Sequence, residues 1–149
     1  MIVWRISKAR YDPWDATGAQ PHGGRWSSPG AAVLYTADTY AGALLELLVH
    51  QTEPRSLPGP HHAIQAAVPD ELVATVTEAD APGWDQRDCA AARATGDRWL
   101  AEGRTAALVV PALPSRPIGR IVVINLAHPD AARIERSAPF AVPWDERLF

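Results

Sequence analysis

One acidic residue, Glu46, stands inside an otherwise apolar segment. The segment from Thr39 to Gln51 reads TYAGALLELLVHQ, a composition that predicts a helix buried on several sides. The positions three and four residues away hold Gly, Ala, Val and His, so no permanent cation on the helix pairs with this carboxylate. Because an unpaired buried charge is costly, two interpretations stay open. Glu46 either faces a cleft, where it could do chemistry, or pairs structurally with a distant arginine.

A second candidate is the sequence Gly-Gly-Arg-Trp-Ser-Ser at residues 23–28. Two glycines allow a tight turn and a close approach of the backbone to a ligand. The guanidinium of Arg25 is a planar fork of five donors that suits an anion, and Trp26 is notable because it follows in the same loop. The spacing is neither that of a Walker A loop nor that of a Rossmann fingerprint. The alternative is an ordinary turn with a surface arginine.

Two further residues flank these features along the chain. Tyr35 ends a short apolar segment just before the helix of Glu46, and such a strand–turn–helix unit can bring both side chains to one cleft. The commoner role of such a tyrosine is in the core, with its hydroxyl satisfied. Arg5 lies on an alternating segment near the start of the chain, where the alternative is a residue at a sheet edge or rim.

Other kinds of catalytic site find little support in the sequence. The five histidines show no metal-ligand spacing, so we expect no metal. The pattern Gly-x-Ser-x-Gly of a nucleophile elbow is missing. Cys89 is the only cysteine, which excludes an internal disulfide framework and a cysteine-rich zinc site. A reducing cytoplasm is the expected location.

Composition narrows the class of protein further. The chain has 149 residues, a formal charge of −3, 47% apolar residues and 21% charged residues, as expected for one packed domain over 1–149. No apolar run approaches the roughly 18 residues of a membrane span, and we expect no secretory leader. Lys8 is the single lysine, and the arginines are scattered from Arg5 to Arg147. Without a basic stripe, nucleic-acid binding is disfavoured.

The elements that must position these residues follow from hydrophobic periodicity and from glycine and proline. We predict a helix at 39–51 with Asp38 as its N-cap and a second helix at 88–102 that Gly96 weakens. Loops are predicted at 8–30 and 52–61, and 70–85 is ambiguous. The predicted strands are 2–7, 32–36, 62–68, 106–111, 120–126 and 132–142. Because strands and helices do not alternate regularly, the expected class is α+β, with three tryptophans in the core: Trp84, Trp99 and Trp144.

Four of these motifs together resemble a known family. WR at 4–5, GGRWSS at 23–28, VLYTAD at 33–38 and ALLELLVH at 43–50 occur in the order found in the RES domain. This domain is the toxin half of bacterial RES–Xre toxin–antitoxin pairs. Later stretches are similar as well, so the resemblance spans nearly the whole chain: ARATGDRWL at 92–100, LVVPA at 108–112, VVINLAHPD at 122–130 and PFAVPWDERLF at 139–149.

The resemblance implies a single-domain, ADP-ribosyltransferase-like fold with a split β-sheet core and flanking helices. It implies that NAD+ is the substrate, not a retained cofactor, and that the nicotinamide–ribose bond is cleaved. The family's pocket positions fall on Arg5, Arg25, Tyr35 and Glu46, with Trp26 beside them. The acceptor of ADP-ribose stays open among water, phosphate and a protein side chain. The implied partner is an Xre-type antitoxin whose C-terminal segment blocks the pocket.

One family position departs from the pattern. A serine is common in a Val-Pro-Ser run, whereas this chain has VPA at 110–112 and a serine three residues on. Either Ser115 replaces the family serine after a local shift, or the role is lost at Ala112. An Asn-Pro-x-His-Pro run is also altered, to NLAHP at 125–129. A catalytically silent module that binds the antitoxin is therefore the alternative to an enzyme.

Overall fold

Strands and two α-helices alternate irregularly along the chain, in a computed structural model that describes residues 1–17, 20–51 and 58–149. The predicted loops at 8–30 and 52–61 each contain residues outside these ranges, namely 18–19 and 52–57. The elements in the described ranges are β1 Ile2–Lys8, β2 Val33–Ala37, α1 Tyr40–Val49, β3 His61–Ala67, β4 Val73–Thr75, α2 Ala90–Glu102, β5 Ala107–Pro111, β6 Arg120–Asn125, β7 Glu135–Arg136 and β8 Phe140–Ala141.

The strands form one mixed sheet in the order β4-β5-β6-β2-β1-β3-β7, and β8 also pairs with β3. β4 and β5 run parallel, whereas the other neighbours are antiparallel. Helix α2 connects the parallel strands β4 and β5, but the other neighbouring strands are antiparallel and the elements do not repeat as βαβ units. The expected α+β class is confirmed.

The sheet is nearly divided between β1 and β2. Within the described ranges, these strands meet at one residue pair, Trp4 with Ala37. By contrast, β1 pairs with β3 along its whole length, and β2 pairs with β6 along its whole length. The sheet therefore consists of two halves, β4-β5-β6-β2 and β1-β3-β7/β8. The split sheet implied by the family resemblance is confirmed.

Tryptophans form a large part of the core. Trp84 and Trp99 are buried as predicted, and Trp26 joins the same cluster with 2% of its surface exposed. Trp144 was expected in the core, but it is only half-buried. Its ring instead packs edge-on against His61 near the end of the chain, with ring centroids 5.5 Å apart.

Helix α1 differs from its prediction in two respects. The N-cap is Thr39, whose side chain accepts a hydrogen bond from the backbone N–H of Gly42 at 2.9 Å, and not Asp38. Ala43 is the one buried residue of the helix, although we expected burial on several sides. The helix packs against β1 and β2, so its apolar residues on the other sides stay partly exposed.

The predicted strand at 132–142 is wrong as a continuous element. A short 3-10 turn at Pro129–Arg133 precedes two-residue strands β7 and β8. Pro139, which lies between the two strands, has no N–H to donate to a ladder, and this favours the interruption. The ambiguous stretch at 70–85 contains β4 between two 3-10 turns.

Neither helix in the described parts of the chain is long and apolar enough to cross a membrane.

Candidate active site

A cavity of about 1010 Å³ opens beside the division of the sheet. Residues of β1 and of β2 line it on either side of the division, and α1 and the loop at 23–26 form further parts of its wall. Four residues singled out in the sequence border this one cavity: Arg5, Arg25, Tyr35 and Glu46. The structure therefore brings together a carboxylate, a phenol and two guanidinium groups that lie up to 41 positions apart in the chain.

Arg5 connects the two halves of the sheet at the cavity. Its Nη1 donates a hydrogen bond to the backbone carbonyl of Tyr35 at 3.0 Å. Its Nε is buried and has no partner among the described residues. Burial lowers the pKa of this guanidinium, and the negative charge of Asp15 opposes that shift. The guanidinium of Arg5 is thus held in place at the cavity wall.

The hydroxyl of Tyr35 anchors the arginine loop, which comprises residues 23–28. It accepts a hydrogen bond from the backbone N–H of Trp26 at 3.0 Å and shares another with Oγ of Ser27 at 2.8 Å. Burial raises the pKa of Tyr35, so the neutral phenol is favoured. A Cβ on Gly24 would lie 2.4 Å from the tyrosine oxygen, so this position needs a glycine.

Arg25 is anchored by one of its nitrogens. Nη1 donates to the backbone carbonyls of Trp84 and Gln86, both at 2.9 Å. Its Nε and Nη2 make no hydrogen bond to another described residue, so their donors are available to an anion. The turn itself is closed by a bond from the N–H of Gly24 to the carbonyl of Ser27 at 2.9 Å. Arg25 is therefore a fixed residue at a cavity, in contrast to a surface arginine on an ordinary turn.

Glu46 borders the cavity from α1. No described residue donates a hydrogen bond to its carboxylate. Burial raises the pKa of Glu46, whereas the nearby positive charges of His50 and Arg25 lower it. Both interpretations therefore hold in part, because Glu46 borders the cavity and the charge of Arg25, which is remote in the sequence but close in the fold, acts on its carboxylate.

Trp26, which the family resemblance places beside the pocket residues, is almost fully buried. Although it borders the cavity, its indole stacks on Trp84 with centroids 5.9 Å apart and planes 18° from parallel. A ring that is buried in this way supports the loop and has little surface left for a ligand.

Neither candidate for the family serine lines the cavity within the described residues. Ser115 lies in the turn between β5 and β6, where its backbone carbonyl accepts from Gly119 at 2.9 Å. Ala112 is 2% exposed and belongs to the core. Ser115 therefore lies outside the cavity lining, although Leu113 and Pro114 just before it border the cavity.

Several cavity residues were not anticipated from the sequence. His50, Cys89 and His61 border the cavity, and Leu47, Leu113 and Pro114 supply apolar surface. In the parts of the chain that the structure describes, no group of three or more His, Cys, Asp or Glu residues could hold a metal ion. Helix α2 also contacts the arginine loop through Arg93 and Asp97. Their spacing of four residues on one helix face was the available sequence signal.

The fold and the cavity define an α+β protein with a split sheet and an arginine- and carboxylate-lined cleft at the division. The family model described as "RES domain" matches residues 2–145. The chain belongs to the RES domain family.

Curated relatives of similar length carry toxin names. A protein of Sphingobium sp. (strain YBL2) named "Prs ADP-ribosylating toxin" is 36% identical over 154 residues, covering 97% of this chain and 94% of the relative. A "Toxin Res" of Pseudomonas putida (strain KT2440) is 32% identical and both chains are covered completely. A "Toxin Res" of Yersinia enterocolitica is 31% identical, with 99% of each chain covered.

A solved structure has the same fold. It is the MbcT–MbcA toxin–antitoxin complex of M. tuberculosis, which aligns with a TM-score of 0.77 and 18% identity, covering 95% of this chain and 83% of that chain.

Proposed function

We propose that this protein is the NAD+-consuming toxin of a toxin–antitoxin pair. In this proposal it cleaves the bond between nicotinamide and ribose and passes ADP-ribose to water, phosphate or a protein side chain. The observation that carries the proposal is the meeting of Arg5, Arg25, Tyr35 and Glu46 at one cavity. The name of the Sphingobium relative, an ADP-ribosylating toxin, supports the same chemistry.

The proposed reaction explains why one carboxylate is enough. The nicotinamide ring of NAD+ carries a positive charge, and the electron pair of the breaking N–C1′ bond neutralises it. The leaving group is therefore neutral and needs no general acid, unlike the alkoxide of an ordinary glycoside. Glu46 has the charge to stabilise the oxocarbenium-like transition state that develops on the ribose. If water is the acceptor, its oxygen bonds to C1′ and its proton goes to solvent.

The arginines suit the rest of the substrate. NAD+ contains two linked phosphates, and guanidinium groups bind phosphate oxygens through charge-assisted hydrogen bonds. Arg25 has donors on Nε and Nη2 beyond those that it uses for the backbone, and Arg5 adds a positive charge at the cavity wall. Tyr35, whose hydroxyl is engaged with the loop, offers its ring to the nicotinamide and helps to exclude water.

The expected partner is an Xre-type antitoxin that covers the cavity. The solved structure of similar fold is itself a toxin–antitoxin complex, which supports this part of the proposal. An antitoxin seated over Arg25 and Glu46 would prevent NAD+ from entering, so its co-expression should restore the growth of cells that make this protein.

The direct test is to incubate the purified protein with NAD+ and measure free nicotinamide, with and without phosphate. Glu46→Gln is nearly isosteric and should keep the fold while lowering turnover about 10²–10³-fold, by analogy with the loss of one preorganised group at an oxyanion hole. Glu78→Gln, at an exposed residue outside the cavity lining, is the matched control. No release of nicotinamide by a folded parent protein would favour the silent antitoxin-binding module, and full activity of Glu46→Gln would make Glu46 structural.

A further inference from the structure

Helix α2 holds both ends of the arginine loop. Nε of Arg93 donates a hydrogen bond to the backbone carbonyl of Gly24 at 3.0 Å. One turn further along the helix, the carboxylate of Asp97 accepts from the backbone N–H of Ser28 at 2.9 Å and from its Oγ at 2.5 Å. Arg25 lies between these two attachment points, so the helix grips the loop on either side of it.

A glycine between the two polar residues permits this contact. Gly96 lies on the same face of α2, three residues after Arg93, and it is buried. A Cβ at this position would stand 1.7 Å from the backbone carbonyl oxygen of Trp26. Gly96, a residue expected to weaken the helix, is therefore the place where the loop and the helix meet.

The segment just before α2 binds the side chain of Arg25 directly. The carbonyls of Trp84 and Gln86 accept the two hydrogen bonds from Nη1 of Arg25. The loop backbone and the guanidinium are thus attached to neighbouring parts of one unit, which consists of α2 and the residues that lead into it.

We propose that Arg93 and Asp97 are positioning residues that aim Arg25 into the cavity for the substrate. This inference rests on the proposed function, because it takes NAD+ as the ligand of Arg25. A loop with two consecutive glycines can adopt many conformations, and a ligand that binds only one of them loses affinity because it must order the loop. The hydrogen bonds of Arg93 and Asp97 to the loop, here called the α2 clamp, hold that one conformation before the ligand binds.

The test compares two arginines of the same helix. Arg93→Ala removes the bond to Gly24, whereas Arg98→Ala removes an exposed arginine that makes no hydrogen bond to another described residue. The readouts are KM and kcat for NAD+, the dissociation constant of NAD+ in the Glu46→Gln background by calorimetry, and Tm. We expect Arg93→Ala to raise KM and the dissociation constant about tenfold, as for the loss of a charge-assisted hydrogen bond, and Arg98→Ala to change neither.

A graded series at Asp97 examines the other attachment point. Asp97→Ala should weaken NAD+ binding as much as Arg93→Ala does. Asp97→Asn keeps one oxygen to accept from Ser28 N–H, so it should recover most of the affinity. Ser28→Ala removes only the hydroxyl contact and should have a smaller effect, and it provides a milder variant if Asp97→Ala does not fold.

The outcomes separate the inference from the proposed function. Parent-like KM and dissociation constant in folded Arg93→Ala and Asp97→Ala would overturn the inference, even if their Tm falls, because a merely structural role lowers the amount of folded protein and not its affinity. If the parent protein neither binds nor cleaves NAD+, the proposed function fails. In that case hydrogen exchange at the amides of residues 24–28 still tests whether α2 orders the loop. Exchange must be faster in Arg93→Ala than in Arg98→Ala, and equal rates would overturn the inference.

Discussion

The guanidinium of Arg5 donates from Nη1 to the backbone carbonyl of Tyr35, 3.0 Å away across the division of the sheet. The backbone of Arg5 pairs with Ile64 on one side, and that of Tyr35 pairs with Val123 on the other. A side chain thus supplies the hydrogen bond that a regular ladder between β1 and β2 would have made. Because these strands separate here, the sheet opens a cavity at its own centre, where Arg5 and Tyr35 line the wall.

The stability of the protein should depend on pH through Glu46. Burial raises the pKa of its carboxyl group above the ordinary 4.5, so this group binds a proton more tightly in the folded protein than in the unfolded chain. Stability therefore falls as pH rises from 4.5 through the raised folded pKa, and the cost stays constant above it. Glu46→Gln removes this cost. We expect a higher Tm than the parent at about pH 7 and the same Tm below about pH 4.

Thermal unfolding of both proteins across this range provides the measurement, and Glu78→Gln is the exposed control. If the parent protein has a higher Tm than Glu46→Gln at neutral pH, the fold stabilises the ionised carboxylate of Glu46. Its pKa would then be lowered on folding and not raised.

Arg25→Lys should weaken the binding of NAD+ although the charge is kept. An ammonium group cannot reproduce a planar fork that bonds the carbonyls of Trp84 and Gln86 and still offers donors to a phosphate. The loss of one charge-assisted hydrogen bond, about 1.5–3 kcal/mol, corresponds to an increase in KM of roughly tenfold or more. Steady-state kinetics check this, with the exposed Arg87→Lys as control. An unchanged KM would remove Arg25 from the ligand contacts.

Substitutions near the altered serine motif should separate activity from stability. Ser115 and Ala112 do not border the cavity, so Ser115→Ala should leave NAD+ turnover within about twofold of the parent, less than one ordinary hydrogen bond is worth. Ala112→Ser places a hydroxyl in the core and should lower the free energy of unfolding by about 1–3 kcal/mol. Turnover assays and urea denaturation measure the two effects. A folded Ser115→Ala protein without activity would contradict this placement.

The single cysteine offers a chemical reporter of the cavity. Cys89 borders the cavity and is partly exposed, so a bound dinucleotide should restrict the access of an alkylating reagent. In the Glu46→Gln background, where the substrate persists, we expect saturating NAD+ to slow maleimide labelling of Cys89. The reaction of free glutathione with the same reagent controls for chemical effects, and Arg25→Lys should reduce the protection. Equal labelling rates with and without NAD+ would show that the ligand does not occupy this part of the cavity.

Local patterns were sufficient to predict most of the elements. Alternation in β1, the β-branched runs of β5 and β6 and the apolar helix α1 all follow from short-range periodicity, so their positions agree with the structure to within a few residues. The caps and the last strand were harder, since Thr39 and Asp38 are both good N-caps and two-residue strands such as β7 leave no periodic pattern.

Residue types and their immediate neighbours were enough to identify the chemical groups of the site. Glu46 on an apolar helix, Arg25 after two glycines and Tyr35 before the helix were each recognisable by residue type and neighbours, and all three border the cavity. The way in which these side chains are held depends on contacts between remote segments. The division between β1 and β2, the burial of Trp26 against Trp84 and the grip of Arg93 and Asp97 on the loop join segments roughly 30 to 70 residues apart. Such contacts depend on the packing of whole elements, and no local pattern of side chains encodes them.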